Sequence, residues 1–386
     1  MHDVIVVGGG PAGLYAAGRL ARYGRDVLVM EEDREPGDPV HCTGVLAREA
    51  FDEFDLTRDV ILNELTTARF VSPSGQELLH RTRTVEAVVI DRRALDDYLA
   101  REAQRLGARL QLGCRATDIS VDADGVTVRH GAGNTIRARL CVLATGGRYG
   151  LHRRLGLGIP GMFLHTAQRE LPAERPGEVE LHFGRGIAPG GFAWAVPVWR
   201  ADRSYVRVGV MAERNAPLYF ARMLERISAR WGAPRQTDGP PRQKILPLAN
   251  LAKTYRDRLI AVGDAAGLVK PTTGGGIFYG LLSAAIGADV LHQALAEQAW
   301  AARDLAAYQR TWQRQLKPEL DTQSSFRRLA QELSDADIEG LFELARTDGV
   351  MPLVHRAAEF NRHRRLIVAL LRHQPARQLF FRSFVS

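Results

Sequence analysis

The opening of the chain has the alternation of apolar and polar positions expected of a βαβ unit. A short apolar run at residues 3–7 is followed at once by glycines, and residues 14–23 then place apolar side chains at helical spacing. Gly24 is suited to end that helix, and a second apolar run covers residues 26–31. This order predicts two strands joined by a helix at the start of an α/β domain.

Later apolar runs predict two further sets of strands. Residues 88–92, 139–147 and 258–264 are expected to join the sheet that the first two strands begin. Residues 179–183, 192–197 and 205–211 are typical of antiparallel strands, which would form a second, substrate-facing domain. From about Leu291 onward the pattern is helical.

The glycines after the first strand form a Gly8-x-Gly10-x-x-Gly13 motif, with Glu31 at the end of the next strand. Gly8 permits a tight turn, Gly10 lets the backbone approach a pyrophosphate, and Gly13 lets helix and strand pack closely. The start of the helix offers backbone amides to the phosphates, and Glu31 can accept ribose hydroxyls. The predicted dinucleotide contacts are Gly8, Gly10, Pro11, Ala12, Gly13, Glu31 and Glu32.

A second stretch, residues 156–161, also matches the glycine pattern. It follows the basic residues 152–154 instead of a strand, and Pro160 interrupts the helix that it would have to open. We therefore interpret it as a loop, which leaves one dinucleotide-binding fold, at the N terminus.

The segment Ala261–Gly267 favours FAD over NAD. Its strand ends in Gly263-Asp264, which puts a carboxylate beside the first glycine-rich loop, where it can bind a ribitol hydroxyl. The glycine-rich residues 271–277 then open a long helix whose amides can bind the pyrimidine edge of the isoalloxazine. The predicted flavin contacts in this part are Gly263, Asp264, Gly274, Gly275, Gly276 and Ile277.

With Asp91-Arg92 before a helix, these motifs resemble the p-hydroxybenzoate-hydroxylase-like (PHBH-like) FAD enzymes over residues 1–295. Within that group the chain is similar to the geranylgeranyl reductase family. Residues 189–197 resemble the family pattern P-x-x-Y-x-W-x-F-P, and residues 41–44 (His-Cys-Thr-Gly) resemble its Cys-x-Gly loop near the flavin. Phe192 stands where the family has Tyr and Val196 where it has Phe, so the shape of the pocket is expected to differ.

The resemblance implies an α/β fold with three parts. The first is a FAD-binding Rossmann-like domain of the glutathione-reductase/PHBH type, at residues 1–62, 86–150 and 250–298. The second is an antiparallel-sheet substrate domain at residues 63–85 and 151–249, and the third is a C-terminal helical region at residues 299–386. By the same resemblance, further cofactor contacts are expected from Cys42, Thr43, Gly44, Arg92, Thr145 and Gly146.

The resemblance also implies an activity. A family member saturates the C=C bonds of an isoprenoid (geranylgeranyl or polyprenyl) lipid by hydride transfer from N5 of reduced flavin together with protonation. Cys42 is the predicted catalytic residue at the reacting end, with His41 beside it. Phe192, Trp194 and Pro197 are predicted to line an apolar substrate tunnel.

Two alternatives on related folds stay open at this point. One is an FAD-dependent monooxygenase or halogenase acting on an aromatic or polycyclic substrate. Hydroxylases of this group usually have Asp-Gly where this chain has Thr145-Gly146, and the first Trp of the halogenase W-x-W-x-I-P pattern is Phe192 here. The other is a quinone-linked electron-transfer flavoprotein dehydrogenase, whose relatives bring an iron–sulfur centre.

Composition narrows these choices. The three cysteines, Cys42, Cys114 and Cys141, form no Cys-x-x-Cys pair, so neither an iron–sulfur cluster nor any other metal site is predicted. Met1 leads almost directly into the first strand without a signal sequence, and the uncharged residues 271–288 contain too many glycines for a good spanning helix. We therefore expect a cytoplasmic protein.

The net charge is +8, and much of the positive charge comes from arginines of the last third, especially Arg356, Arg362, Arg364, Arg365, Arg372, Arg377 and Arg382. We expect this basic surface to meet the inner face of the membrane or an acidic electron-donor protein, and not nucleic acid. The electron donor is expected to be NAD(P)H or a ferredoxin-like protein.

Overall fold

The protein is described by a computed structural model over residues 1–201, 203–347 and 349–381. The chain divides into two compact units. The first comprises residues 1–40, 92–162 and 247–318, and the second residues 41–91, 163–246 and 319–386. The domain boundaries expected from the sequence, which grouped residues 41–62 with the nucleotide-binding part, stay a prediction.

Both units combine helices with sheets, which agrees with the predicted α/β class. The strands of the described residues are β1 (His2–Val7), β2 (Val27–Met30), β3 (Val45–Ala47), β4 (Ile61–Leu65), β5 (Thr67–Val71), β6 (Glu77–Arg81), β7 (Ala87–Ile90), β8 (Arg109–Gln111), β9 (Ala116–Val121), β10 (Val126–His130), β11 (Asn134–Leu143), β12 (Phe163–Pro172), β13 (Val179–His182), β14 (Phe192–Arg200), β15 (Arg203–Ala212), β16 (Arg242–Pro247), β17 (Tyr255–Arg256) and β18 (Leu259–Ala261). The helices are α1 (Pro11–Arg22), α2 (Glu49–Glu53), α3 (Arg92–Arg105), α4 (Gly150–Arg154), α5 (Ala216–Trp231), α6 (Ile277–Glu297), α7 (Ala302–Glu332), α8 (Asp335–Thr347), α9 (Val350–Ala357), α10 (Arg364–Arg372) and α11 (Gln374–Phe381). Two short 3-10 turns cover Arg58–Val60 and Gly263–Ala266.

The first unit is built on a sheet with the strand order β17-β18-β11-β1-β2-β8. The strands from β18 to β8 are parallel, whereas β17 is antiparallel to its neighbour. A hairpin of β9 and β10 continues from β11. Helix α1 packs against α3 and α6, and the central strand β1 is fully buried from Val4 to Val6. The predicted βαβ unit is confirmed, and residues 156–161 form the predicted loop.

One predicted strand belongs to a different sheet. Residues 88–92 were expected to join the parallel sheet, but β7 pairs antiparallel with β3 and β4 in a three-stranded sheet of the second unit. All four residues of β7 are buried. A short run that is buried on both faces has no alternation of polar and apolar positions to indicate its partner, so the sequence could not identify this pairing.

The second unit contains a seven-stranded sheet with the order β16-β12-β15-β14-β13-β5-β6. Strands β12, β15, β14 and β13 are antiparallel in turn, which confirms the predicted antiparallel strands. One face of this sheet packs against α5 through small and β-branched side chains such as Ala193, Ala195 and Val208. The other face includes Phe192 and Trp194, because side chains alternate along β14.

The last part of the chain is helical from α7 to α11, as predicted. In the part of the chain that the structure describes, no helix is long and apolar enough to cross a membrane. The uncharged segment 271–288 becomes helical only at Ile277, where α6 begins.

Candidate functional site

The candidate nucleotide-binding residues of the first unit lie at one edge of its sheet. Gly8 follows β1, Glu31 follows β2, Thr145 lies two residues beyond β11, and Gly263 lies two residues beyond β18. Since these four strands are parallel neighbours, their carboxyl ends all meet this edge. In open α/β sheets this is the edge at which nucleotides bind.

The first glycine loop has little room except at one position. A Cβ at Gly8 would lie 2.3 Å from the carbonyl oxygen of Ala144, and one at Gly13 would lie 2.0 Å from that of Gly8. Among the described residues, a Cβ at Gly10 would meet no atom within 4 Å. Gly10 is also the N-cap of α1, and no side chain of these residues caps that helix. The loop therefore has a tightly packed base and an open side at Gly10, where the amides at the start of α1 are available to an anion.

Glu31 is tied into the same loop. One carboxylate oxygen accepts the N–H of Gly9, and the other accepts the N–H of Asp33 at 2.9 Å. Burial, the largest contribution, raises the pKa of Glu31 although both hydrogen bonds act to lower it. Its neighbour Glu32 is paired with Arg148 at 2.8 Å. Glu31 thus fixes the loop in addition to any contact with a ribose.

The turn at Gly263-Asp264 lies directly beside the start of α1. A Cβ at Gly263 would be 3.0 Å from Cβ of Ala12, and the N–H of Gly263 donates to Oγ of Ser283 at 3.0 Å. The hydroxyl of Tyr149 donates to the carbonyl of Asp264 at 2.5 Å. The Asp264 side chain reaches the start of α6, since a Cβ at Gly276 would be 2.6 Å from its Oδ1.

The loop that precedes α6 is closed by its own backbone. The N–H of Lys270 donates to the carbonyl of Gly275 at 3.1 Å, and that of Gly274 donates to the carbonyl of Lys270 at 2.8 Å. Gly276 is the N-cap of α6, and no side chain in the described part of the chain caps it. Amides at the starts of two helices, with the Asp264 carboxylate between them, are the donors and the acceptor that a dinucleotide carrying a polyhydroxylated chain requires, so this edge fits FAD.

Arg92 and Thr145 have local partners in the first unit. Arg92 opens α3, and its Nη2 donates to both carboxylate oxygens of Asp96 at 2.8 Å. Oγ1 of Thr145 donates to the carbonyl of Arg148 at 3.1 Å, and Gly146 has a φ of +59°. These contacts order the turn after β11 and the start of α3.

The loop of residues 41–44 belongs to the second unit. Thr43 Oγ1 donates to Oε1 of Gln168 at 2.9 Å, and the N–H of Gly44 lies 3.4 Å from Sγ of Cys42. Cys42 is partly exposed, whereas Cys114 and Cys141 are buried. Burial raises the pKa of Cys141 to about 12 and also raises that of Cys114, so both are poor nucleophiles.

Aromatic rings cover the face of the seven-stranded sheet opposite α5. Phe192 and Trp194 meet edge to face with ring centroids 5.9 Å apart, as expected for side chains two positions apart on one strand. Phe183 lies 6.1 Å from Phe192, and it is also 6.3 Å from both Phe70 and Phe342. We call these five residues, Phe70, Phe183, Phe192, Trp194 and Phe342, the aromatic face.

Pro197 does not share that side of the sheet. It pairs with Val206, which packs against α5, and the register along β14 is regular. Its side chain therefore has the same parity as Ala193 and Ala195. A substrate on the aromatic face would not touch Pro197, so this placement does not support the predicted substrate contact.

Sequence reasoning missed several residues of the second unit. Phe70, Phe183 and Phe342 come from separate segments, so no local pattern connects them to Phe192. Arg207 is different, because it stands alone as a charged residue in the apolar run 206–210 and is 5% exposed. A buried charge inside an apolar strand is unusual enough to have been a signal.

Comparison with known proteins agrees with this geometry. A family model described as an FAD binding domain matches residues 1–315. Digeranylgeranylglycerophospholipid reductase 1 of Methanopyrus kandleri is 30% identical over 382 residues, covering 90% of this chain and 98% of that protein. The digeranylgeranylglycerophospholipid reductase of Methanocaldococcus jannaschii is 28% identical over 359 residues, covering 89% of this chain and 90% of that protein. Among solved structures, a geranylgeranyl bacteriochlorophyll reductase-like protein from Thermoplasma acidophilum has a TM-score of 0.85 at 23% identity, covering 99% of this chain and 98% of that chain.

The chain is therefore an FAD-dependent oxidoreductase with the PHBH-like fold, and FAD is confirmed as its cofactor. Within this class it belongs to the geranylgeranyl reductase family, as the motifs at residues 41–44 and 189–197 predicted.

Proposed function

We propose that the protein reduces carbon–carbon double bonds in the isoprenoid chain of a membrane lipid. The names of the relatives support this class of substrate. The observation that carries the proposal is the aromatic face, which offers an extended apolar surface on the unit that also contains the loop of residues 41–44. Each CH₂ group buried against such a surface contributes about 0.8 kcal/mol, so a long hydrocarbon chain can be bound without polar contacts.

In this proposal the first unit binds FAD, which when reduced supplies a hydride to one carbon of the double bond. The glycine loop and the start of α1 bind the pyrophosphate, Glu31 binds the adenosine ribose, and Asp264 binds the ribitol. The loop before α6 binds the isoalloxazine. The proposed cofactor contacts are Gly8, Gly10, Pro11, Ala12, Gly13, Glu31, Glu32, Cys42, Thr43, Gly44, Arg92, Thr145, Gly146, Gly263, Asp264, Gly274, Gly275, Gly276 and Ile277.

Phe192 and Trp194 are the proposed substrate-binding residues. Both rings are partly exposed, and partly exposed aromatic rings suit the planar, branched units of an isoprenoid chain. The proton for the second carbon of the double bond has to come from a protein group beside the reacting bond. We assign this role to Cys42, whose thiol is the least buried of the three cysteines, with His41 as its neighbour.

We further propose that the C-terminal helices contact the membrane surface. Helix α10 has one buried apolar residue, Ile367, while Leu366 and Leu370 stay partly exposed. Arg364 and Arg372 at its two ends are exposed, and Phe381 of α11 is 41% exposed. An amphipathic helix with cationic ends suits an anionic bilayer surface. Arg382, also in this basic region, lies outside the described residues. An acidic protein or NAD(P)H remains the proposed electron donor.

The test uses the full chain with bound FAD, reduced anaerobically with dithionite and mixed with a polyprenyl lipid extract. Mass spectrometry should detect products that gain two hydrogens per double bond, while the flavin is reoxidised in parallel. Trp194→Ala should lose most of this activity. Trp199→Ala is the matched control, because Trp199 lies on the same strand with opposite parity and is 49% exposed.

The competing activity is that of a monooxygenase or halogenase. If no saturated lipid forms and the reduced flavin is reoxidised rapidly only when oxygen is admitted, the reductase proposal is wrong. Screening of aromatic substrates for oxygen uptake would then follow.

A further inference from the structure

We propose that Arg207 is a positioning residue for Cys42, holding the loop of residues 41–44 in place on the seven-stranded sheet. This inference rests on the proposed function only in that Cys42 is assigned to the reacting end. The contacts of Arg207 are formed without any substrate.

Arg207 binds three acceptors at once. Its Nη1 donates to the carbonyl of Thr43 at 2.6 Å and to that of Ile90 at 2.9 Å. Its Nε donates to Oε2 of Glu170 at 2.8 Å. The Arg207 side chain is 6% exposed, so these bonds are shielded from competing water. One guanidinium thus connects the loop after Cys42 to the end of β7 and to β12.

A second arginine fixes the far side of Glu170. Arg200 donates from Nε to Oε1 of Glu170 at 2.9 Å and from Nη1 to Oδ2 of Asp91 at 2.6 Å. Burial would raise the pKa of Glu170, but the hydrogen bonds and charges of Arg200 and Arg207 lower it overall. The carboxylate is therefore ionised at neutral pH. Ion pairs therefore link Arg207, Glu170, Arg200 and Asp91 in series. Within this network, one orientation of the Arg207 guanidinium satisfies all its partners.

The two loop residues that follow Cys42, Thr43 and Gly44, are both held by hydrogen bonds. Thr43 is bound at its carbonyl by Arg207 and at its hydroxyl by Gln168. The carbonyl of Gly44 accepts the N–H of Ile90 at 2.8 Å. The Thr43 carbonyl belongs to the Thr43–Gly44 peptide, which follows the residue next to Cys42. A rotation of this peptide would therefore move the backbone that carries the Cys42 thiol. The bond from Arg207 blocks this rotation.

Arg207 also lies on the same side of the sheet as the aromatic face. It pairs with Val196 on β14, two residues from Trp194, while Val206 and Val208 on either side of it pack toward α5. A buried ion pair is seldom more stable than apolar residues of the same size. What an apolar residue could not supply is a planar fork of donors that reaches two carbonyls and a carboxylate together.

The experiment follows the reaction of Cys42 with N-ethylmaleimide by intact-protein mass spectrometry, on the FAD-bound full chain. Cys114 and Cys141 are buried, so the first adduct reports Cys42, and Cys42→Ala should lack it. Arg207→Lys keeps the charge but loses the fork. We expect it to change the alkylation rate at least about threefold, and to lower kcat for lipid reduction about tenfold with KM changed less than twofold.

Arg230→Lys is the matched control, because Arg230 of α5 pairs with the buried Glu180, which lies on the opposite side of the sheet from Arg207. It should leave the alkylation rate within a factor of two. If Arg207→Lys does not fold, Glu170→Gln removes the carboxylate charge that orients the Arg207 guanidinium and should change the rate in the same way. An unchanged alkylation rate in a folded Arg207→Lys or Glu170→Gln variant overturns the inference. Absence of lipid reduction in the unmodified protein would overturn the proposed function, and the alkylation comparison would still decide the role of Arg207.

Discussion

The indole of Trp194 lies over Gly209 of the neighbouring strand β15. The two residues are directly paired, and a Cβ at Gly209 would be 2.2 Å from Cζ2 of the indole. No side chain but hydrogen fits there, so the ring can lie close to the backbone of β15. The absence of a side chain at Gly209 therefore sets the height of the Trp194 ring above the sheet.

Replacing Gly209 by Ala should force the Trp194 ring away from β15. We expect a loss of stability of about 1–3 kcal/mol, since overpacking costs this much, and a change in the chain length or number of double bonds reduced. Thermal unfolding and mass spectrometry of the lipid products would measure both effects. Gly186→Ala is the matched control, because a Cβ there meets nothing within 4 Å. Unchanged products from a folded Gly209→Ala protein would mean that Trp194 does not line the substrate site.

Variants of the first glycine loop can distinguish an effect on FAD binding from an effect on folding. Gly10 has φ −77° and ψ 178°, which any residue adopts, and open space where its Cβ would be. Gly10→Val should therefore leave the thermal stability of the FAD-free chain within a few degrees and weaken FAD binding at least about tenfold, or about 1.4 kcal/mol. Flavin fluorescence titration would measure the affinity.

Gly13→Ala should behave differently, because its Cβ would lie 2.0 Å from the carbonyl of Gly8. This variant should lose both stability and FAD binding. If Gly10→Val instead binds FAD as the unmodified protein does, then the pyrophosphate does not occupy the open side of the loop.

The sequence identified the parts of the protein that depend on local patterns. The βαβ unit, the loop at residues 156–161 and the strands of the second sheet follow from periodicity, turn residues and glycine spacing, all of which are local. The common side of Phe192 and Trp194 follows from alternation along one strand. Such features can be predicted because they depend only on residues that are close together in the sequence.

The remaining features depend on contacts between distant segments. Nothing near Ile90 indicates that β7 pairs with β3 and β4, and nothing near Phe70 or Phe342 indicates that they surround Phe183. Pro197 was grouped with Phe192 because the family motif contains both, although strand parity alone separates them. The network of Arg207 brings together β7, β12, β14 and β15, so only the folded chain reveals it.

His152 should make the protein less stable in mild acid. It is fully buried in α4, its ring meets that of Tyr149 at 5.1 Å, and burial lowers its pKa from 6.5 to about 4. Between these two values the unfolded chain binds a proton that the folded chain does not, so stability falls as the pH drops through this window. The contribution is about 3 kcal/mol at most.

Urea unfolding between pH 7 and pH 4 would test this, with His152→Phe as the comparison. Phenylalanine keeps the ring contact and cannot titrate, so the free energy of unfolding of this variant should fall less on acidification. Parallel curves for the two proteins would show that His152 is protonated equally in the folded and unfolded states.

The proposed membrane contact predicts a dependence on the charges of α10. Arg364→Glu combined with Arg372→Glu should weaken binding to anionic vesicles by at least about tenfold, because each basic residue near such a surface contributes about 1 kcal/mol. The loss should shrink as salt is raised, since the Debye length falls to about 3 Å at 1 M. Vesicle co-sedimentation at two salt concentrations would measure both.

The control for this experiment is Arg235→Glu combined with Arg242→Glu, which makes the same change in net charge at two exposed positions before and within β16. If binding depended on net charge alone, the two double variants would weaken it equally. A greater loss for the α10 pair assigns the contact to that helix. Equal losses, or none for the α10 pair, would mean that the lipid reaches the protein by another surface.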